Sequence, residues 1–247
     1  MEREVLFVAH RGESFDAPEN TLAAFRLAWE RGCRAIELDI RMSGDGQIVV
    51  FHDEDTERIC GIKFEVARVT FSTILSCDVG AFKGLVYAGE RIPLLGEVFE
   101  TVPGDGKVLV EIKCGVEVLP ELARCIEASG LRDDQVELIC YEAEVLRQAA
   151  VVLPRQRRLL VAVLDAADVA KRATLIKSCA EIGADGVDLG FKDEVQTEVV
   201  ADFHDHGLLV YTWTVNDPEV AQKQIAAGVD AVTSDRAAWL REILIGI

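Results

Sequence analysis

The pattern that most restricts the fold is a unit repeated eight times: a short β-branched apolar run, a loop, then an amphipathic stretch of helical period. Runs at 5–9, 35–40, 107–112, 136–140, 158–163, 186–190, 208–214 and 229–233 predict strands. Stretches at 19–31, 93–101, 116–129, 142–152, 166–182, 193–206, 217–227 and 236–245 predict the helices between them. In the first helix Leu22, Phe25, Ala28 and Trp29 share one face, the spacing of a helix laid on a sheet. Gly32, Gly183, Gly207 and Gly228 stand where a helix must stop before the next strand. Asp217-Pro218 supplies a cap and a first-turn proline. Eight such units in 247 residues match the size of a (β/α)8 TIM barrel. The rival is an open doubly wound sheet. That fold gathers its ligand residues at one switch point and, for dinucleotides, carries GxGxxG, which this chain lacks. Here polar residues end several different strands, as in a barrel.

One stretch breaks the rhythm. Ser43-Gly44-Asp45-Gly46 is a turn signal between two strand-like runs, so 35–40 and 48–52 are expected to form a hairpin. From about 54 to 91 there is no clean β–α unit, and Phe64, Phe71, Phe82 and Tyr87 lie among turn residues. This segment reads as a small insertion after the second strand of a single domain, 1–247. Two placements are open: leaning over the barrel mouth, or packing on the outer helices.

Composition excludes several roles. No run of about 18 apolar residues exists, so no membrane span is expected. The start, Met1-Glu2-Arg3-Glu4-Val5, lacks the basic-then-apolar layout of a signal peptide. Seven cysteines, without CxxC or zinc spacing, read as free thiols in a reducing cytoplasm. A net charge of −17 speaks against nucleic-acid binding and against docking on anionic lipid, and no stable membrane association is expected. An anionic substrate then has to be drawn by local positive charge. Oligomeric state is not readable.

The chemistry-bearing residues sit at strand ends. On a strand, i and i+2 share a face, so Glu37 and Asp39 aim together while Leu38 and Ile40 face the helices. Glu111 and Lys113 repeat that spacing. Three carboxylates converging at a barrel top repel one another at neutral pH, and a divalent cation removes that repulsion. Oxygen-only ligation favours Mg²⁺ or Ca²⁺, with Mn²⁺ also compatible. An isolated Glu-x-Lys is a salt bridge more often than a ligand; beside Glu37 and Asp39 the balance reverses. His10 and His52, two of only four histidines, end strands on either side of the carboxylate pair and suit general acid and base work. Arg11 and Lys113 offer positive charge to a phosphate. Trp213, near the end of the seventh strand, could floor a substrate pocket. His204 and His206 form an HxH, but they close a helix at the opposite end of a barrel and read as structural.

Taken together, His10-Arg11-Gly12, Pro18-Glu19-Asn20-Thr21, Glu37-Leu38-Asp39, His52-Asp53 with Arg58, Glu111-Ile112-Lys113, Trp213-Thr214-Val215-Asn216 and Ser234-Asp235-Arg236 resemble the glycerophosphodiester phosphodiesterase family. The resemblance runs through almost the whole chain. It implies a phosphodiesterase barrel of the phospholipase C-like kind. It implies Glu37, Asp39 and Glu111 as ligands of one divalent cation, His10 and His52 as the acid–base pair, and Arg11 and Lys113 on the phosphate. The implied reaction is hydrolysis of glycerophosphodiesters such as glycerophosphocholine or glycerophosphoethanolamine to glycerol 3-phosphate and an alcohol. The chain departs from the family pattern at Thr56, Ile59 and Cys60, at Cys140-Tyr141 and at Ala237, which leaves the departing alcohol open. Two alternatives are a lysophospholipase D-like or phosphoinositide-type phosphodiesterase and an inactive barrel that binds phosphorylated ligands.

Overall fold

The computed structural model describes residues 4–191 and 195–246. The first β–α unit is β1 (Leu6–Ala9) and α1 (Leu22–Glu30), followed by the hairpin β2 (Ala35–Met42) and β3 (Ile48–Val50). Two one-turn helices, α2 (Glu57–Cys60) and α3 (Phe71–Ile74), and α4 (Leu95–Phe99) lead to β4 (Lys107–Ile112). The remaining units are α5 (Leu119–Ser129), β5 (Val136–Cys140), α6 (Ala143–Val152), β6 (Arg157–Leu164), α7 (Val169–Ile182), β7 (Gly186–Phe191), α8 (Thr197–Asp205), β8 (Leu209–Trp213), α9 (Pro218–Ala227), β9 (Ala231–Ser234) and α10 (Ala237–Ile245). The start expected for the helix at 193–206 lies outside the described residues.

Eight parallel strands close on themselves. β1 pairs with β9 on one side and β2 on the other, while β3 is antiparallel and hangs on β2 outside the barrel. The strand period explains the layers. Ile36, Leu38 and Ile40 join the large core between barrel and helices; Ala35, on the other face of β2, joins the core inside the barrel with Val8, Leu109, Ile139, Val161 and Tyr211. The lower end of the interior is closed by an ion cluster around Glu137. Glu137 accepts from Tyr211 Oη at 2.9 Å and from Arg157 at 2.7 Å, and Lys107 stands 3.3 Å away.

The helix expected over 19–31 begins only at Leu22. Thr21 caps it, accepting from Ala24 N, and Pro18-Glu19-Asn20 is a turn in which Asn20 is left-handed, φ 57°. Asn20 is drawn out of the helix by its partner on β2, described below. The helix expected over 93–101 is likewise cut to Leu95–Phe99. Segment 54–91 packs Ile59, Val66, Ile74, Cys77 and Val79, together with Ile92 just after it, onto Val49 and Phe51 of the appended hairpin. It touches the mouth through Arg58 and through Lys83 and Tyr87, which bond to the loop after β1. All seven cysteines are free thiols. Among the described residues no helix is long and apolar enough to cross a membrane.

Candidate active site

β2 carries Glu37 and Asp39 into the barrel interior, and β4, in register with Asp39 opposite Glu111, carries the third carboxylate. Glu37, Asp39 and Glu111 each offer an oxygen within 4.8 Å of the others. Glu37 and Asp39 are fully buried, so their mutual repulsion is poorly screened. Burial, with Asp39 and Glu111 nearby, pushes Glu37 well above the usual carboxyl range. Burial and Asp39 also push Glu111 up, against the pull of Lys113. Burial would raise Asp39 too, but Arg11, Lys113 and His52 outweigh it, and Asp39 stays below its ordinary value.

Cations and donors frame this cluster. Lys113 Nζ stands 2.6 Å from Glu111 and 3.4 Å from Asp39. Arg11 is left-handed at φ 55°, which turns its backbone N–H onto Glu37 at 2.9 Å while its Nε lies 3.1 Å from Asp39. Asn20 donates Nδ2 to Asp39 at 2.8 Å and accepts the Asp39 N–H at 3.2 Å. Glu37 Oε1 and Asp39 Oδ1 nevertheless accept no hydrogen bond. The contrast with Glu137, whose two oxygens both accept hydrogen bonds, separates a structural buried carboxylate from ones left with lone pairs to give. Oxygen-only donors, three carboxylates and two unsatisfied buried oxygens fit a hard divalent cation.

The histidines flank the cluster as expected. His10 Nδ1 bonds Asp235 Oδ1 at 2.6 Å, and its Nε2 lies 4.0 Å from Glu37. Asp235 is itself held by Asn216 Nδ2 at 2.6 Å and by Ser14 Oγ at 3.2 Å. Burial opposes its charge, but the bond and charge of His10, then Asn216 and Ser14, hold its carboxyl down at about 2. His52 Nδ1 bonds Asp53 at 2.7 Å, and Asp53 is shared with Arg58 Nε at 2.5 Å. Burial lowers His52; Asp39 and Asp53 work against that fall, Arg11 and Lys113 with it. Arg41, two residues past Asp39, donates to the carbonyls of His52 at 2.8 Å and Lys113 at 3.0 Å, tying two strand ends together.

Trp213 ends β8. Its ring packs edge-on against Tyr141, centroids 6.0 Å apart, and Nε1 donates to the Asp188 carbonyl at 3.2 Å. Gly190 makes room for it: a Cβ there would sit 3.1 Å from the indole. Asp188 is buried, its Oδ1 is unpartnered, and burial with Glu111 pushes its carboxyl well above the ordinary range. His204 bonds Asp230 and His206 bonds a backbone carbonyl of α8, away from the cluster.

Sequence reasoning assigned no role to Asn20, Arg41, Asp53, Asp188 or Asn216. Asn20, Asn216 and Asp235 lay inside noticed motifs; what pairs Asn20 with β2, Asn216 with Asp235 and Asp235 with His10 is the closed fold, the last two residues being 225 apart. Arg41 carried a usable signal, since it continues the inward i, i+2 series of Glu37 and Asp39.

The sequence pattern of the glycerophosphoryl diester phosphodiesterase family matches residues 10–238. The chain belongs to this family. A glycerophosphodiester phosphodiesterase of Caldanaerobacter subterraneus subsp. tengcongensis is 32% identical over 238 residues, 94% of each chain. The solved structure of an Oleispira antarctica phosphodiesterase in complex with the product sn-glycerol-3-phosphate is 27% identical, with a TM-score of 0.86 over 96% of this chain and 95% of that one. That of a glycerophosphodiester phosphodiesterase from Agrobacterium tumefaciens is 26% identical, TM-score 0.80, over 96% and 99%. As a member of the glycerophosphoryl diester phosphodiesterase family, the protein is a hydrolase of the phosphodiesterase class, built on the same (β/α)8 barrel.

Proposed function

We propose that the protein hydrolyses glycerophosphodiesters, such as glycerophosphocholine or glycerophosphoethanolamine, to glycerol 3-phosphate and the free alcohol. The observation that carries this reading is the pair of imidazoles, each fastened through Nδ1 to its own carboxylate, on either side of three converging acids. With Nδ1 committed, Nε2 is the nitrogen each ring has for proton transfer. Glu37, Asp39 and Glu111 would hold one divalent cation, Mg²⁺, Ca²⁺ or Mn²⁺; when bound it neutralises charge that builds on the phosphoryl oxygens.

Arg11 and Lys113, on the rim of the acidic cluster, would bind and orient the phosphodiester. His52 serves as base: its lowered pKa keeps it neutral near pH 7, able to take a proton from the attacking hydroxyl, whether water or the glycerol's own. His10 serves as acid. Asp53 is shared with a cation, Arg58, whereas the Asp235 carboxylate is shared with the neutral Asn216 and Ser14 and keeps its charge for the His10 ring. Trp213 and Tyr141 would wall the substrate's organic end. Free thiols at all seven cysteines support a reducing, cytoplasmic setting, and the acidic surface supports a small-molecule substrate over nucleic acid.

The direct test is choline release from glycerophosphocholine, before and after exhaustive chelation and after restoring each cation. Activity that survives chelation would overturn the cation's role. His10→Ala and His52→Ala should each lower kcat by about 10²–10⁴-fold with the fold retained; wild-type turnover in either would end the acid–base assignment.

A further inference from the structure

The segment 78–90 is a closed loop whose neck is pinned. The Asp78 carboxylate accepts from Gly80 N and Ala81 N on one oxygen and from Gly89 N on the other, each at 2.9 Å, and Val79 N bonds Glu90 O at 2.9 Å. The loop folds so tightly that a Cβ on Gly80 would lie 1.9 Å from the Tyr87 carbonyl oxygen. Its tip presents Phe82, Leu85 and Val86 to water, 50%, 90% and 86% exposed. Lys83 Nζ and Tyr87 Oη hold the tip against the loop after β1, donating to Ser14 O at 2.6 Å and Asp16 O at 3.1 Å, with Phe15, 55% exposed, between those two anchors. Ser14 Oγ bonds Asp235, which bonds His10. Ser14, which anchors the tip, is therefore two hydrogen bonds from His10.

We propose that Phe15, Phe82, Leu85 and Val86 form a wedge that rests on a zwitterionic lipid surface, presenting the barrel mouth to diesters seated in that surface. The proposal rests on the activity argued above for its chemistry, though not for its binding. Singly scattered apolar side chains are ordinary on a protein surface; a cluster held out on a rigid loop beside the mouth is not. The wedge is built from four side chains, too few for a stable protein interface, which takes about 800 Å² from each partner. A small water-soluble diester gives such a rim nothing to touch. The net charge of −17 rejects anionic membranes, the basis for expecting no stable membrane association, and it leaves neutral surfaces open. Local cations suit a headgroup phosphate: Lys83 lies in the tip, and the Arg236 guanidinium stacks 4.8 Å from the Phe15 ring.

The test joins co-sedimentation with phosphatidylcholine vesicles to turnover of lysophosphatidylcholine across its critical micelle concentration. Wild-type protein should sediment with the vesicles, and its turnover should rise at least fivefold once micelles form. The double variant Leu85→Ser, Val86→Ser should lose both while hydrolysing glycerophosphocholine within twofold of wild type. Wild-type protein that stays in the supernatant, or a double variant that binds equally well, overturns the wedge. A dimer lost in the double variant without vesicle binding also overturns it, in favour of contact between copies. Failure to hydrolyse glycerophosphocholine counts against the proposed activity alone, since sedimentation is read without turnover.

Discussion

Glu37 and Glu137 are both interior carboxylates, and their surroundings give them opposite meanings. Glu137 is saturated by Tyr211, Arg157 and Lys107; Glu37 keeps an oxygen with no hydrogen bond. The histidines differ in the same residue-level way. As a base His52 works neutral, so kcat/KM should fall as pH drops through its pKa. That pKa lies below the ordinary value, so the acid limb should fall below about 6.5. Asp53 is one of the groups favouring the protonated ring, so Asp53→Asn should move this limb further down. Asp235→Asn should leave the His10 ring without the carboxylate that orients it, with kcat lower by roughly 10²-fold and KM little changed. A pH–rate profile of Asp53→Asn and the kcat–KM split of Asp235→Asn check the two; an acid limb that moves upward, or an unchanged kcat, contradicts the assigned role. Asp188, whose charged form is disfavoured by burial and by Glu111, should accept Asn with little loss of stability near pH 7, which a thermal melt would show.

At the scale of elements, the loop from β1 to α1 does most of the positioning. It contains two left-handed non-glycine residues, Arg11 and Asn20, an arrangement that costs energy and persists because both are tied to β2. Gly12, φ 80°, sits where a Cβ would come 2.6 Å from the Ala24 backbone. Gly12→Ala should therefore cost about 3 kcal/mol or more and lower Tm by roughly 6–12 °C. Asn20→Ala strips Asp39 of a donor and should cost about 2 kcal/mol, with impaired cation binding as its second sign in calorimetry. The inserted segment acts on the site through α2, whose Arg58 joins Asp53 to Glu19, while Glu19 also holds Arg11. Removing Arg58 should thus disturb the base side and the phosphate side together.

For the whole molecule, the acidic cluster makes stability depend on pH and on cation. Glu37 and Glu111 have folded pKa values raised above those of the unfolded chain. Their contribution to stability is full below about 4.5 and is lost as pH rises through the raised values. Cation-free protein should melt lower at pH 8 than at pH 5.5. A divalent cation at a hundredfold excess over its Kd should add about 2.7 kcal/mol, most visibly at pH 8. Melts in EDTA and in Mg²⁺ or Ca²⁺ at the two pH values check both signs. Equal melts at both pH values without cation would mean that the cluster is not under the strain its geometry implies.

Whatever depends on near neighbours along the chain could be read from the order of residues alone. Strand and helix periods set the eight units, and the two-residue repeat of a strand put Glu37 beside Asp39 and away from Leu38. His10 and His52 were legible because each ends an apolar run. The tertiary structure decided what depends on closure and burial. β1 had to meet β9 before Asp235 could hold His10, and β2 had to meet β4 before Glu111 could face Asp39. Propensity favoured a helix over 19–31, and two bonds from Asn20 to Asp39 overrode its first turn. Dielectric surroundings and partners exist only once chain segments far apart in sequence are packed. For that reason the buried Asp188, the unsatisfied oxygens of Glu37 and Asp39 and the outward tip at Leu85 became visible only in three dimensions.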